Sequence, residues 1–326
     1  MVRIWSTVMA AAGLSVQAAA AAGSWPIAQA PPAAESAAPP GPHAAGWRVV
    51  TVTRPAGGDF TALLTYPATR AERDAPLDDR GAPYPVVAFG HGFLQAPERY
   101  QGTLLHLASW GFLVIAPQSH AGLSPDHAAF AADLNAAVDG LARESAAAGS
   151  WLFGRVDDAY GLAGHSMGGG ASLAAAAANP RIDAVLTLAA ADTRPSTLPA
   201  LPRIAAPLAF LVGSDDAIVP AASTAPLYGA GRAPKQLVTL AGGSHCGFQD
   251  EPFPIACDRG TLARDDQLAL TRQRLADFFR LYLTGDASRY DAVWAAPDDP
   301  RVTLVADPGR AGPPAALYLP RALRGP

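Results

Sequence analysis

With 326 residues, half of them hydrophobic and 16% charged, the chain can bury a substantial core within one domain. A formal charge of -4 and a pI near 5.9, with no dense basic run, give no electrostatic reason to expect nucleic acid as a partner.

The first 22 residues have the layout of an export signal, with Arg3, an apolar stretch from Ile4 to Leu14 and small residues up to Ala22. That stretch is shorter than the roughly 20 apolar residues a bilayer crossing requires, so a secreted chain without a membrane span is expected. Residues 23–46, rich in Pro and Ala, read as a disordered linker. From 47 to 285, short apolar or β-branched runs alternate with longer helical patterns. That alternation is the mark of the α/β class, a mostly parallel twisted sheet with helices on both faces. Strands are expected at 47–52, 60–66, 85–89, 112–116, 159–164, 184–188, 208–213 and 236–240, and helices at 99–110, 127–148, 167–178 and 262–283. Residues 286–326, rich in Pro, Asp and Gly, are expected to form an extended tail.

Within this frame the stretch Leu162-Ala-Gly-His-Ser-Met-Gly-Gly-Gly170 places Ser166 between a buried strand and an alanine-rich helix. Gly164 and Gly168 remove the side chains that would crowd a serine held proud of a strained turn, and the helix from Met167 aims free amide groups at the same spot. A glycine-rich strand-to-helix turn with an incidental serine is the plainer alternative. An acyl-transfer site also needs a base and a group that orients it, in the chain order serine, acid, histidine. After the 208–213 strand comes Ser214-Asp215-Asp216-Ala-Ile-Val-Pro220, and after the 236–240 strand comes Gly242-Gly-Ser-His245. Asp216 is favoured over Asp215 as the acid and His245 is the expected base, although an aspartate there can also cap a helix and a loop histidine can simply be exposed. Gly90-His-Gly-Phe93 follows the third strand, so the amides of Phe93 and Met167 are the expected oxyanion donors.

Cys246 and Cys257 are the two cysteines of the chain. In an oxidising compartment one disulfide between them is expected, worth roughly 2 to 3 kcal/mol by loop closure, with two buried free thiols as the alternative. Neither has zinc-site spacing, and no metal or cofactor is expected.

The motifs around Ser166, Asp216 and His245, with Tyr84-Pro-Val-Val-Ala-Phe-Gly-His-Gly-Phe93 and Leu107-Ala-Ser-Trp-Gly-Phe-Leu-Val-Ile115, resemble the α/β-hydrolase superfamily, and within it bacterial cutinases and related polyester hydrolases. Secreted lipases and chlorophyllase-like esterases share parts of the pattern. The resemblance implies Ser166, Asp216 and His245 as a triad, Phe93 and Met167 as oxyanion donors and cleft walls, and Ile218 as an apolar contact for the acyl group. It implies a serine esterase acting on small esters or polyesters. A monomer is expected, and an acyltransferase or a non-catalytic binding protein on the same scaffold are the rival readings. The tryptophan such polyester hydrolases usually carry after the sixth strand is replaced by Ala189-Ala-Ala-Asp192, which removes a stacking partner for an aromatic acid unit. Between the sixth and seventh strands stands only the short proline-dense segment from Asp192 to Pro207, so an open cleft lined by Phe93, Leu94, Met167 and Ile218 is expected in place of a helical lid.

Overall fold

The computed structural model describes residues 38–251 and 257–309. The expected export signal, most of the linker and the end of the tail lie outside those residues. One nine-stranded sheet runs in the order β1-β2-β4-β3-β5-β6-β7-β8-β9. Its strands are β1 (Ala44–Thr53), β2 (Asp59–Ala68), β3 (Tyr84–Gly90), β4 (Leu113–Pro117), β5 (Val156–His165), β6 (Ile182–Leu188), β7 (Leu208–Gly213), β8 (Lys235–Leu240) and β9 (Val302–Asp307). The six central strands are parallel, and antiparallel β1, β2 and β9 close the two ends.

The centre is parallel because β3, β4 and β7 are buried on both faces and read as continuous apolar runs, leaving covering helices as the way to connect them. Those helices are α1 (Gln101–Ser109), α2 (His127–Ala146), α3 (Met167–Ala178), α4 (Ala221–Ala230), α5 (Arg264–Leu283) and the short α6 (Tyr290–Trp294). Asp126 caps α2 by accepting the Ala129 N–H at 2.9 Å, and the stripe of Phe130, Leu134, Val138 and Leu141 is buried against the sheet, as its spacing predicts. No helix among the described residues is long and apolar enough to cross a membrane.

Two expectations are corrected. The sheet begins inside the stretch read as linker, since Ala44–Gly46 belong to β1 and the Gly41 N–H donates to Ser109 Oγ at 2.8 Å. The segment read as an extended tail carries α6 and β9, and β9 pairs along the full length of β8. β9 is an edge strand that buries only Val302, so its sequence has little of the alternation that marks a half-buried strand. Between β6 and β7, the Asp192 to Pro207 segment holds only the 3-10 turn Leu198–Arg203, whose Leu201 plugs into the core.

Candidate active site

Chain order reverses between β3 and β5: β4 lies on one side of β3, and β5 and β6 lie on the other. In open sheets of this kind a crevice forms at the carboxyl ends of the strands flanking such a reversal. Gly90 and Gly164 stand in register there, and just beyond them Ser166 takes φ 56° and ψ -120°. A non-glycine residue pays for that left-handed conformation in strain, so the surroundings must enforce it. They do so through the main chain, because the Ser166 N–H donates to Leu188 O at 2.9 Å and its carbonyl accepts from Gly170 and Ala191 at 3.1 and 3.0 Å. They also do so by close approach. A Cβ on Gly164 would lie 2.4 Å from Gly168 O, and one on Gly168 would lie 2.1 Å from Gly90 O.

The loop after β3 closes a β-turn from Gly92 to Gln95 at 3.1 Å, with Phe93 and Leu94 at its tip and Leu94 at φ 56°. The Gly92 N–H is committed to Tyr100 Oη at 3.2 Å, which removes it as an oxyanion donor. Phe93 and Leu94 are half-buried on this loop, and Ile218, two residues after Asp216, is 39% exposed. Met167 is buried at the first turn of α3, where amide groups lack intrahelical acceptors.

The acid and histidine loops leave β7 and β8, which are in register at Gly213 and Leu240. Adjacent aspartates part ways here. Asp215 turns outward to accept the Thr261 N–H and hydroxyl at 3.0 and 2.9 Å, which also holds its carboxyl below the usual range. Asp216 turns inward and is buried; its Oδ1 accepts the Ile218 and Val219 N–H groups and its Oδ2 accepts from His245 Nδ1 at 2.8 Å. The His245 ring is buried and packs on the His165 ring, centroids 4.4 Å apart, beside the residue that carries the elbow. Among the described residues no hydrogen bond joins the Ser166 hydroxyl to that ring; bonds of this kind commonly tighten only with substrate in place.

Four residues that the local patterns did not single out hold this arrangement. Tyr100 Oη lies 2.8 Å from His165 Nδ1. The same phenol oxygen accepts the Gly92 N–H at 3.2 Å, so it links the loop after β3 to the residue beside the elbow. Burial drives the His165 pKa well below the usual range and the Tyr100 pKa well above it, so both stay neutral. Gln267 of α5, fully buried, accepts the Ser244 N–H and donates to the Ser244 carbonyl at 3.0 and 2.8 Å. Asp258 accepts the His245 and Cys246 N–H groups, and Cys246 is joined to Cys257 in a disulfide. Only the two cysteines could have pointed to Asp258, since their pairing brings residue 257 beside residue 246.

A strand, a strained serine and a helix at the reversal point of such a sheet, with acid and histidine loops two and three strands away, define an α/β-hydrolase. The family model described as PET hydrolase-like matches residues 19–256, and the chain belongs to that family. It is therefore an ester or polyester hydrolase of the α/β-hydrolase type. No curated protein matches the chain.

Proposed function

We propose that the protein is a secreted serine esterase that hydrolyses carboxylic esters through an acyl group carried on Ser166. The observation that supports this best is the buried 2.8 Å bond between Asp216 and His245 at the same sheet edge as the strained Ser166. In this reading the Ser166 hydroxyl attacks the ester carbonyl carbon while its proton passes to His245 Nε2. Asp216 keeps the other ring proton on Nδ1 and stabilises the imidazolium. The amides of Met167 and Phe93 receive the negative charge that develops on the carbonyl oxygen. Collapse breaks the bond to the alcohol, which leaves with the proton from His245. Water, deprotonated by the same ring, then releases the acid and restores Ser166.

The proposed substrates are short soluble esters and aliphatic polyester chains. The β6–β7 segment has no lid helix, and Ala189 to Ala191 supply no ring to stack on an aromatic acid, Ala189 and Ala190 being themselves buried. Asp192 is occupied in its own turn, bonded to Ser196 and Thr197. The disulfide suits an oxidising compartment, which together with the signal-like first 22 residues supports export.

Ser166→Ala should fold normally and lose turnover on p-nitrophenyl butyrate by a factor on the order of 10^6, and a fluorophosphonate should label the parent protein at Ser166 alone. Undiminished hydrolysis by that variant would refute the reading. A panel from short to long p-nitrophenyl esters, then emulsified aliphatic polyester and polyethylene terephthalate film, should show rates falling in that order; faster attack on the aromatic film than on the aliphatic polymer would overturn the substrate preference.

A further inference from the structure

We infer that Asp258 is a positioning residue of this site, one that sets the His245 ring against Asp216 by holding the main chain of both loops; the inference rests on the serine esterase reading. Its carboxylate lies between the loops and commits both oxygens to them. Oδ2 accepts the N–H of Ala217 at 3.0 Å and that of His245 at 2.9 Å, and Oδ1 accepts the N–H of Cys246 at 3.0 Å. Ala217 is the residue after the acid, and His245 is the base itself. One planar anion thus ties together the backbone on either side of the bond between Asp216 and His245.

The acid needs no such help to orient its own carboxylate, because Ile218 and Val219 already donate to it within its turn. What that turn leaves open is where His245 stands. Asp258 supplies this, and it is itself held on both flanks. Cys257 is bonded to Cys246, Gly260 runs so near Gly242 that a Cβ would lie 1.9 Å from the Gly242 carbonyl, and the Leu262 N–H donates to that carbonyl at 2.9 Å. Thr261 adds two bonds to Asp215. Residues 257–262 are therefore a strap laid across both loops, with Asp258 as the group that grips them. The strap lies beyond the residues matched by the family model, which end at 256.

Bonds from N–H groups to a carboxylate are roughly twice as strong as neutral ones, so an isosteric amide does not replace Asp258. Asparagine keeps one oxygen for Ala217 and His245 but turns an amide donor toward the Cys246 N–H, and alanine leaves all three donors without an acceptor. A brace that only stabilises the fold would lower the melting temperature and leave turnover per folded molecule alone. A brace that positions the base lowers kcat at nearly constant KM, because fewer bound complexes hold the ring within reach of the serine proton.

The test uses the full chain with its disulfide intact and compares the parent with Asp258→Asn, Asp258→Ala and Ser166→Ala on p-nitrophenyl butyrate. Active sites are counted by fluorophosphonate titration, so that unfolded protein does not enter kcat. Expected is a loss in kcat per titrated site of about 10-fold for asparagine and about 100-fold for alanine, with fluorophosphonate labelling of Ser166 slowed in the same order. KM should stay within about twofold. If Ser166→Ala retains hydrolysis, the esterase reading itself fails. If Ser166→Ala is dead while both Asp258 variants, or the asparagine variant where alanine does not fold, keep parental kcat per titrated site, the positioning role alone is overturned.

Discussion

Ser166 stands at φ 56° on a turn forced by contacts that all lie within a few residues of it or on the neighbouring strand end, whereas His245 sits at φ -59° and ψ -54° in relaxed backbone. The serine is positioned by strain. The histidine is positioned by grip: Asp258 lies 13 residues downstream, Gln267 grips the preceding Ser244 from 23 residues along, and the disulfide closes over a separation of 11. The difference fits the chemistry proposed for each side chain. A nucleophile must present one oxygen in one place, while a base that takes and returns a proton in each half-reaction needs a fixed ring axis without a strained main chain.

If the elbow is held by steric contact, Gly168→Ala should do the most damage, because its new methyl would meet the Gly90 and His91 carbonyls at 2.1 and 2.5 Å, and these are backbone atoms with little room to move. Destabilisation of about 3 kcal/mol or more in urea unfolding is expected, with hydrolysis near the level of Ser166→Ala. A variant that unfolds and turns over like the parent would break the steric account of the elbow. Next in size, Asp216→Asn should reduce kcat by about 10^4-fold with little change in melting temperature, since the amide leaves the shape of the loop while withdrawing the acceptor for Nδ1–H. Asp215→Asn is the matched control. Its bonds go to Thr261, so kcat should stay within about threefold of the parent, and equal losses from the two variants would erase the distinction drawn between the neighbours.

The contrast also explains what could be read in advance. The elbow was legible from Gly164 to Gly170 because its constraint is local: glycines are required where backbones nearly touch, and they are visible as letters. Asp216 and His245 were legible because each follows a clear strand at a position that the topology uses. The helices and the parallel centre were likewise announced by their periodicity. The grip was not legible, because Asp258 and Gln267 act on backbone groups of residues distant in the chain, and such bonds leave no periodic mark in the sequence. Tyr100 was hidden for the same reason, being read only as part of a helical stretch. β9 leaves little trace in the sequence because an edge strand needs little hydrophobic patterning to pair, and α4 because Pro226 interrupts its pattern.

Cutting the disulfide should have a smaller effect, and a divided one. The Cys246→Ser, Cys257→Ser double variant should lose roughly 2 to 3 kcal/mol of stability through the opened loop. It should also lose a few-fold in kcat per titrated site, because the strap retains its hydrogen bonds to both loops. Combined with Asp258→Asn, the loss in kcat should exceed the product of the separate losses, since each change removes what still held the other. A purely multiplicative result would mean that bridge and carboxylate act independently on the histidine. Tyr100→Phe probes the elbow side of the same idea. Removing the phenol oxygen leaves the Gly92 N–H and His165 Nδ1 unpaired in the interior, at a cost of about 1 to 3 kcal/mol, and should loosen the loop carrying Phe93 more than the His245 loop. A loss confined to KM with no change in stability would contradict that assignment.

Acid gives a graded test, because it acts on both regions through histidines that burial keeps neutral. Desolvation is the main cause of the lowered pKa at His91 and His165 by the elbow and at His106 on α1, where Arg272 adds repulsion. α1 is also the anchor of the His245 loop, since Asp250 accepts the Gly102 N–H and pairs with Arg272. For His106 the pKa falls from 6.5 in the unfolded chain to about 4 in the folded one. Between those values the unfolded chain binds more protons, so the stability this residue contributes is present above pH 6.5 and drains away as pH drops toward 4. His106→Gln should flatten that slope, by less than about 1 kcal/mol at pH 6 and by up to about 3 kcal/mol near pH 4. Urea unfolding at a series of pH values reads it directly. Because His91 and His165 titrate against the elbow in the same direction, a residual slope in the variant measures the elbow's share, and a slope unchanged by the substitution would mean that α1 does not carry the acid sensitivity of the histidine loop.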